Sequence, residues 1–96
     1  MESEKVTEAY LRSEIKKLGG TAYKFVSPGN AGVPDRMICL PGGRILFAEL
    51  KSEDKKSTPK QRQQQDKLRV LGFTVYSDID TKAKVDDLVR KLKNEI

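Results

Sequence analysis

Asp35, Glu49 and Lys51 are the residues of this chain best placed to do chemistry. Asp35 precedes one apolar segment, Met37 to Leu40, and Glu49 and Lys51 close another that begins at Ile45. Charge left in such settings costs free energy unless it is paired or used. Alternate side chains of a strand share a face, so Ile45, Phe47, Glu49 and Lys51 point one way and Leu46, Ala48 and Leu50 the other. Carboxylates on adjacent strands repel one another unless a cation joins them. Asp35 and Glu49 would thus suit a hard divalent cation, which would neutralise phosphate charge and lower the pKa of a bound water. Lys51 could orient that water or stabilise charge developing on a pentacoordinate phosphorus. The chemistry implied is metal-dependent hydrolysis of a phosphodiester.

The Glu-Leu-Lys spacing is not selective by itself. Glu14-Ile15-Lys16, Glu53-Asp54-Lys55, Asp54-Lys55-Lys56 and Asp80-Thr81-Lys82 share it, but only Glu49-Leu50-Lys51 ends an apolar strand and follows a Pro-Asp pair. A structural ion pair between Glu49 and Lys51, and an ordinary turn role for Asp35, are the plain alternatives. Composition narrows the chemistry further. The chain has no histidine, which removes histidine acid–base catalysis and nearly every zinc geometry. Magnesium or manganese bound through oxygen remains. A net charge of +5 and a pI near 9.4 fit a polyanionic partner. With no long apolar run and no signal-peptide stretch, the expectation is a cytoplasmic protein with no membrane contact. Cys39 is the only cysteine and stands between Ile38 and Leu40, where it reads as a small buried hydrophobe.

The elements that would position these groups are legible from caps and periodicity. Ser3 can cap a helix that starts at Glu4 and stops at Gly19-Gly20, with Leu11, Ile15 and Leu18 as its buried stripe. Glu4, Glu8 and Glu14 all lie near that stripe, and spacing does not choose among them. Thr21 to Val26 reads as a strand, and Ser27 to Gly32 as a turn-rich loop. Met37 to Leu40 and Ile45 to Lys51 form a hairpin through Pro41-Gly42-Gly43-Arg44. Ser52 to Ser57 reads as a charged, mobile loop and the weakest part of the fold. Thr58-Pro59-Lys60-Gln61 opens a helix with a threonine cap, an early proline and a glutamine at the capping-box position. That helix closes at Gly72, with Leu68 and Leu71 as late apolar contacts. A strand over Phe73 to Tyr76 and a last helix capped by Thr81, buried through Val85, Leu88, Val89 and Leu92, complete the order αβββαβα. The fold class is α/β, a small mixed sheet flanked by helices in one domain spanning 1–96. At this length folding buries only about 60% of the unfolded chain's surface, so dimerisation would help.

Gly32-Val33-Pro34-Asp35, the short hairpin, Glu49-Leu50-Lys51, Thr58-Pro59-Lys60-Gln61 and Leu71-Gly72, with a glutamate-bearing first helix before them, resemble the virus-type replication-repair nuclease (VRR-NUC) family. This family belongs to the PD-(D/E)XK superfamily, and the resemblance covers almost the whole chain. It implies a restriction-endonuclease-like core and the stand-alone form found in phages and bacteria. It also implies a Mg²⁺- or Mn²⁺-dependent DNA endonuclease acting on branched, Holliday-junction-like DNA, as a homodimer and with no organic cofactor. Asp35, Glu49 and the backbone carbonyl of Leu50 would be the metal ligands, and Lys51 the catalytic lysine. Glu8 would match the first-helix glutamate, reaching the metal directly or through water. Gln61 would match the glutamine after the lysine strand, although the capping box explains it equally well. Arg36, Arg44, Lys55, Lys56, Lys60 and Arg62 are candidates for DNA phosphate contacts. The alternative is a catalytically inactive basic module that binds DNA or a replication partner.

Overall fold

The computed structural model describes residues 1–95. Three helices and four strands follow the expected order: α1 (Glu4–Lys17), β1 (Thr21–Lys24), β2 (Arg36–Leu40), β3 (Arg44–Leu50), α2 (Pro59–Val70), β4 (Val75–Ile79) and α3 (Lys82–Asn94). The strands lie in the order β1-β2-β3-β4. β1–β2 and β2–β3 pair antiparallel and β3–β4 pairs parallel, so the sheet is mixed and α2 is the crossover between its parallel strands.

The helix starts are set by side chains that satisfy otherwise unpaired backbone amides. Ser3 accepts from the Val6 amide, Thr58 from Gln61 and Thr81 from Lys84. α1 stops where Gly19 takes φ +84°, and Gly20 follows because a Cβ there would stand 2.5 Å from the Cys39 carbonyl oxygen. α1 and α3 cover one face of the sheet. Leu11, Ile15, Ile38, Leu46, Ala48, Leu50, Val85, Leu88 and Leu92 form the core there, all buried. Tyr76 packs against its edge.

Several expectations shift. β4 begins at Val75 and continues to Ile79, two residues later than the apolar run suggested, because Gly72, Phe73 and Thr74 complete the turn out of α2. β1 ends at Lys24, and Cys39 is only half-buried because it faces away from the α1–α3 core. Leu71 does not close the α2 interface: it is 73% exposed, and Val70 beside it is 86% exposed. The charged segment Ser52 to Ser57 is anchored. The Asp54 amide donates to Asp80 Oδ2 at 2.8 Å, the Ser57 amide and hydroxyl each donate to Asp78 Oδ1 at 2.7 Å, and the Glu2 amide donates to Glu53 Oε1 at 2.8 Å.

Candidate active site

Asp35 sits at the entry to β2, and its carboxylate accepts the Leu50 amide at 2.8 Å through Oδ2. That bond ties the Pro-Asp turn to the end of β3, because β2 and β3 are in register from Arg36↔Ala48 onward. Glu49, one residue earlier on β3, is 1% exposed. Its Oε1 is buried without a hydrogen-bond partner among the described residues. Burial pushes the Glu49 carboxyl up to about 9, helped by a hydrogen bond with Asp35 and by the Asp35 charge, against the opposing pull of Lys51. Asp35 and Glu49 therefore share a site that disfavours a second negative charge.

Lys51 and Gln61 complete the cluster. Lys51 Nζ donates to Gln61 Oε1 at 2.6 Å, and Gln61 Nε2 approaches Glu49 Oε2 at 3.5 Å. The same Gln61 Oε1 accepts from the Thr58 amide at 2.9 Å, while the Gln61 amide donates to Thr58 Oγ1 at 3.2 Å. Gln61 is thus both a helix cap and a contact of the lysine, through one oxygen. The approach of α2 to this cluster also fixes Gly32: a Cβ there would lie 3.0 Å from the Lys60 carbonyl oxygen, and its φ is +92°. The glycine two residues before Pro34 is required where the loop passes under the first turn of α2.

Glu8 is arranged differently. Arg36 NH2 binds Glu8 Oε1 at 2.6 Å, and Arg36 NH1 donates to the Ala22 carbonyl at 3.2 Å. Arg36 is therefore buried as a holder of Glu8, which corrects its reading as an open phosphate contact. Glu4, one helical turn before Glu8, has its carboxyl raised first by burial and then by the charge of Asp35, with Lys51 pulling the other way. Its i, i+4 relation to Glu8 could have placed both on the site-facing side of α1. Arg44 is engaged by Glu95. Lys55, Lys56, Lys60 and Arg62 remain exposed, Arg62 also donating to the Ser57 carbonyl at 2.8 Å.

A second group of residues escaped sequence reading. α2 carries Gln61, yet its one buried residue is Gln65. Gln65 Nε2 donates to Ser57 Oγ at 3.0 Å and Gln65 Oε1 accepts from Ser77 Oγ at 2.7 Å. Arg69 donates to Ser77 Oγ at 2.7 Å and to the Val75 carbonyl at 2.8 Å. Opposite Glu49, β4 places two residues, Ser77 and Asp78, where β3 has one, and Asp78 takes φ +55°. This bulge turns Asp78 toward Ser57. The only signal in the sequence was an α2 rich in glutamine and lacking an apolar stripe.

The donor set suits a hard cation, since it is built of carboxylate oxygens and a buried oxygen lacks any other partner. Among the described residues no three acidic or thiol side chains converge on one point. Asp35 and Glu49 would need a backbone carbonyl, water or substrate to complete a coordination shell.

A mixed four-stranded sheet in the order αβββαβα, with Asp35, Glu49 and Lys51 gathered at the ends of β2 and β3, defines a restriction-endonuclease-like fold. No family model matches the chain. A solved structure titled "VRR_NUC domain" superposes with a TM-score of 0.85 at 30% sequence identity, covering 94% of this chain and 97% of that one. "Putative nuclease p44" of Acyrthosiphon pisum secondary endosymbiont phage 1 is 52% identical over 68 residues, which are 71% of this chain and 73% of the phage protein. The chain belongs to the VRR-NUC family of nucleases.

Proposed function

We propose that the protein is a Mg²⁺- or Mn²⁺-dependent DNA endonuclease that hydrolyses backbone phosphodiesters of branched DNA. The observation that supports this most directly is the pairing of Asp35 with a buried, partnerless Glu49 oxygen, with Lys51 held beside them. Asp35, Glu49 and the Leu50 carbonyl would hold the cation, with Glu8, steadied by Arg36, acting through water. The bound cation would supply positive charge against the phosphate oxygens and acidify a water molecule. Lys51 would face the charge developing on the phosphorus, its ammonium steadied by Gln61. Lys55, Lys56, Lys60 and Arg62 form an exposed basic margin at the start of α2, suited to DNA phosphates.

The test is incubation of the purified chain with branched, flapped and linear DNA in magnesium, manganese or EDTA. Cleavage of branched substrates that needs the cation and falls by about 10²–10³-fold in Asp35→Ala and Lys51→Ala supports the reading. Cleavage that persists in EDTA overturns it. Salt-sensitive DNA binding without cleavage in any condition would identify a basic binding module instead.

The same reading includes a homodimer. Val70, Leu71 and Phe73 leave an apolar surface on the outer side of α2 and the turn after it. Sedimentation equilibrium should give twice the chain mass, and a monomer at micromolar concentration would count against it. Among the described residues no helix is long and apolar enough to cross a membrane. The cytoplasm, where DNA is found in a bacterial cell, is the proposed location.

A further inference from the structure

α1 carries three carboxylates, Glu4, Glu8 and Glu14, and they differ in what they meet. Arg36 binds Glu8 Oε1 at 2.6 Å, and Lys17 binds Glu14 Oε2 at 2.7 Å. Glu4 takes part in no ion pair among the described residues. It is the carboxylate of α1 left without a counter-charge.

Two pins on α1 set where Glu4 stands. Before it, the Glu53 amide donates to the Glu2 carbonyl at 3.3 Å and the Glu2 amide donates to Glu53 Oε1 at 2.8 Å, two residues past Lys51. The Glu2 carboxylate also accepts the Lys82 amide at 2.9 Å, which ties the same point to the start of α3. After it, the Glu8–Arg36 pair holds α1 against the residue that follows Asp35. Glu4 lies between the pins on the Glu8 side of the helix, one turn or about 6 Å of rise away. It therefore stands beside the space between Asp35 and Lys51.

The electrostatics agree with that placement. A first-turn glutamate ordinarily gains from the positive end of its helix, which favours the ionised form. The Glu4 carboxyl is raised instead, by burial first and then by Asp35, against the pull of Lys51. Glu49 in turn feels the charge of Glu4. Three carboxylates are thus crowded near one ammonium, and Oε1 of Glu49, a residue 1% exposed, has no partner among the described residues. Crowded like charges call for a cation. The three do not converge as direct ligands of one ion. A magnesium-sized cation takes one or two carboxylates and keeps several waters, so a third carboxylate farther out suits those waters.

We propose that Glu4 is a further residue of the cation site, its exposed carboxylate accepting hydrogen bonds from water held between Asp35 and Lys51. The proposal rests on the reading of Asp35 and Glu49 as cation ligands and gives Glu4 a role separate from that of Glu8. Glu8 is fixed by Arg36, whereas Glu4 is free to follow the water. Outer carboxylates of this kind set the affinity for the ion.

The experiment is calorimetric titration of the full chain with Mn²⁺ in the absence of DNA, at low and at high potassium chloride. Glu4→Gln should weaken Mn²⁺ binding by about tenfold. The ratio to the parent should persist at high salt, because a hydrogen bond to bound water is local whereas the field of a distant charge is screened. Glu14→Gln removes the same charge from the same helix and should leave the affinity near that of the parent. Thermal unfolding in EDTA should place Glu4→Gln at or above the parent, since like-charge crowding is relieved. Parent-like Mn²⁺ affinity in Glu4→Gln overturns the proposal, as does a weakening that vanishes at high salt or is matched by Glu14→Gln. If Asp35→Ala abolishes Mn²⁺ binding while Glu4→Gln leaves it intact, the Glu4 assignment fails and the cation reading stands. If Asp35→Ala binds Mn²⁺ as the parent does, or the parent binds none, the cation reading falls and the Glu4 assignment falls with it.

Discussion

The helices on the two faces of the sheet are docked by different physics. On the α1–α3 face, Leu11, Ile15, Ile38, Leu50, Leu88 and Leu92 are each at most 1% exposed, and burial of apolar surface supplies the cohesion. On the α2 face, Gln65 is the buried residue of the helix, and Ser57, Ser77, Asp78 and Arg69 hold it through directional hydrogen bonds. A greasy contact tolerates small slips, whereas a chain of short polar contacts fixes one register. The face that needs one register carries Glu49, Lys51 and Gln61. The difference teaches that stability and catalytic geometry have largely separate sources in this small chain.

The largest effect expected from this contrast is on the apolar side. Leu88→Ala should lower stability by about 2–5 kcal/mol, because the cavity it leaves lies in a packed core far from Gln61. Thermal unfolding should fall by on the order of ten degrees or more. Turnover per folded molecule, measured at a temperature where the variant remains folded, should be close to that of the parent. A large fall in kcat at that temperature would break the separation between the faces.

Gln65→Leu should cost less stability and more activity. Leucine keeps approximate volume but removes a partner from both Ser57 and Ser77, at about 1–3 kcal/mol. With α2 no longer held in one register, Gln61 loses its fixed relation to Lys51, and kcat should drop by about ten- to hundredfold. Steady-state kinetics beside a urea titration would check both effects. Reduced stability with an unchanged kcat would mean that the polar layer is scaffolding only.

The contrast also explains what the sequence made legible. Apolar periodicity and caps marked all seven elements, since Leu11 and Ile15, Val85 and Leu88, and the threonines before Gln61 and Lys84 act locally. Asp35, Glu49, Lys51 and Gln61 were legible because their order along the chain survives into space. The pairing of Arg36 with Glu8 was not, because it depends on which face of β2 meets α1. Nor was the anchoring of Ser52 to Ser57, which looked mobile by its charges. Its partners Asp78 and Asp80 lie across the chain and reach it only through the bulge and the start of α3. Leu71 failed for a simpler reason: it is the C-cap of α2 and stays 73% exposed, and Phe73 after the turn is the residue that packs against Phe47.

The most gradual effect should come from the carboxyl that stands between the two regimes. Glu49 is as buried as the apolar core yet titratable, and burial first, then Asp35, pushes it up to about 9 from 4.5. Between those values the folded chain without a cation binds a proton there that the unfolded chain has released. Stability from this group is therefore fully present below about 4.5 and is lost as pH rises through about 9. Asp80 has the opposite sign: its carboxyl is held low, chiefly by Lys84, so its contribution is lost as pH falls. Comparing the parent with Glu49→Gln in EDTA cancels Asp80 and leaves Glu49. Thermal unfolding measured at intervals from pH 5 to pH 9 should show the parent losing ground to the variant as pH rises. Manganese should reverse that trend in the parent alone, because a cation takes the place of the proton and its stabilisation grows with pH. Parallel curves for the two proteins in EDTA would mean that Glu49 is already ionised in the folded chain, and that the polar face holds its charges in a way that Asp35 and burial do not describe.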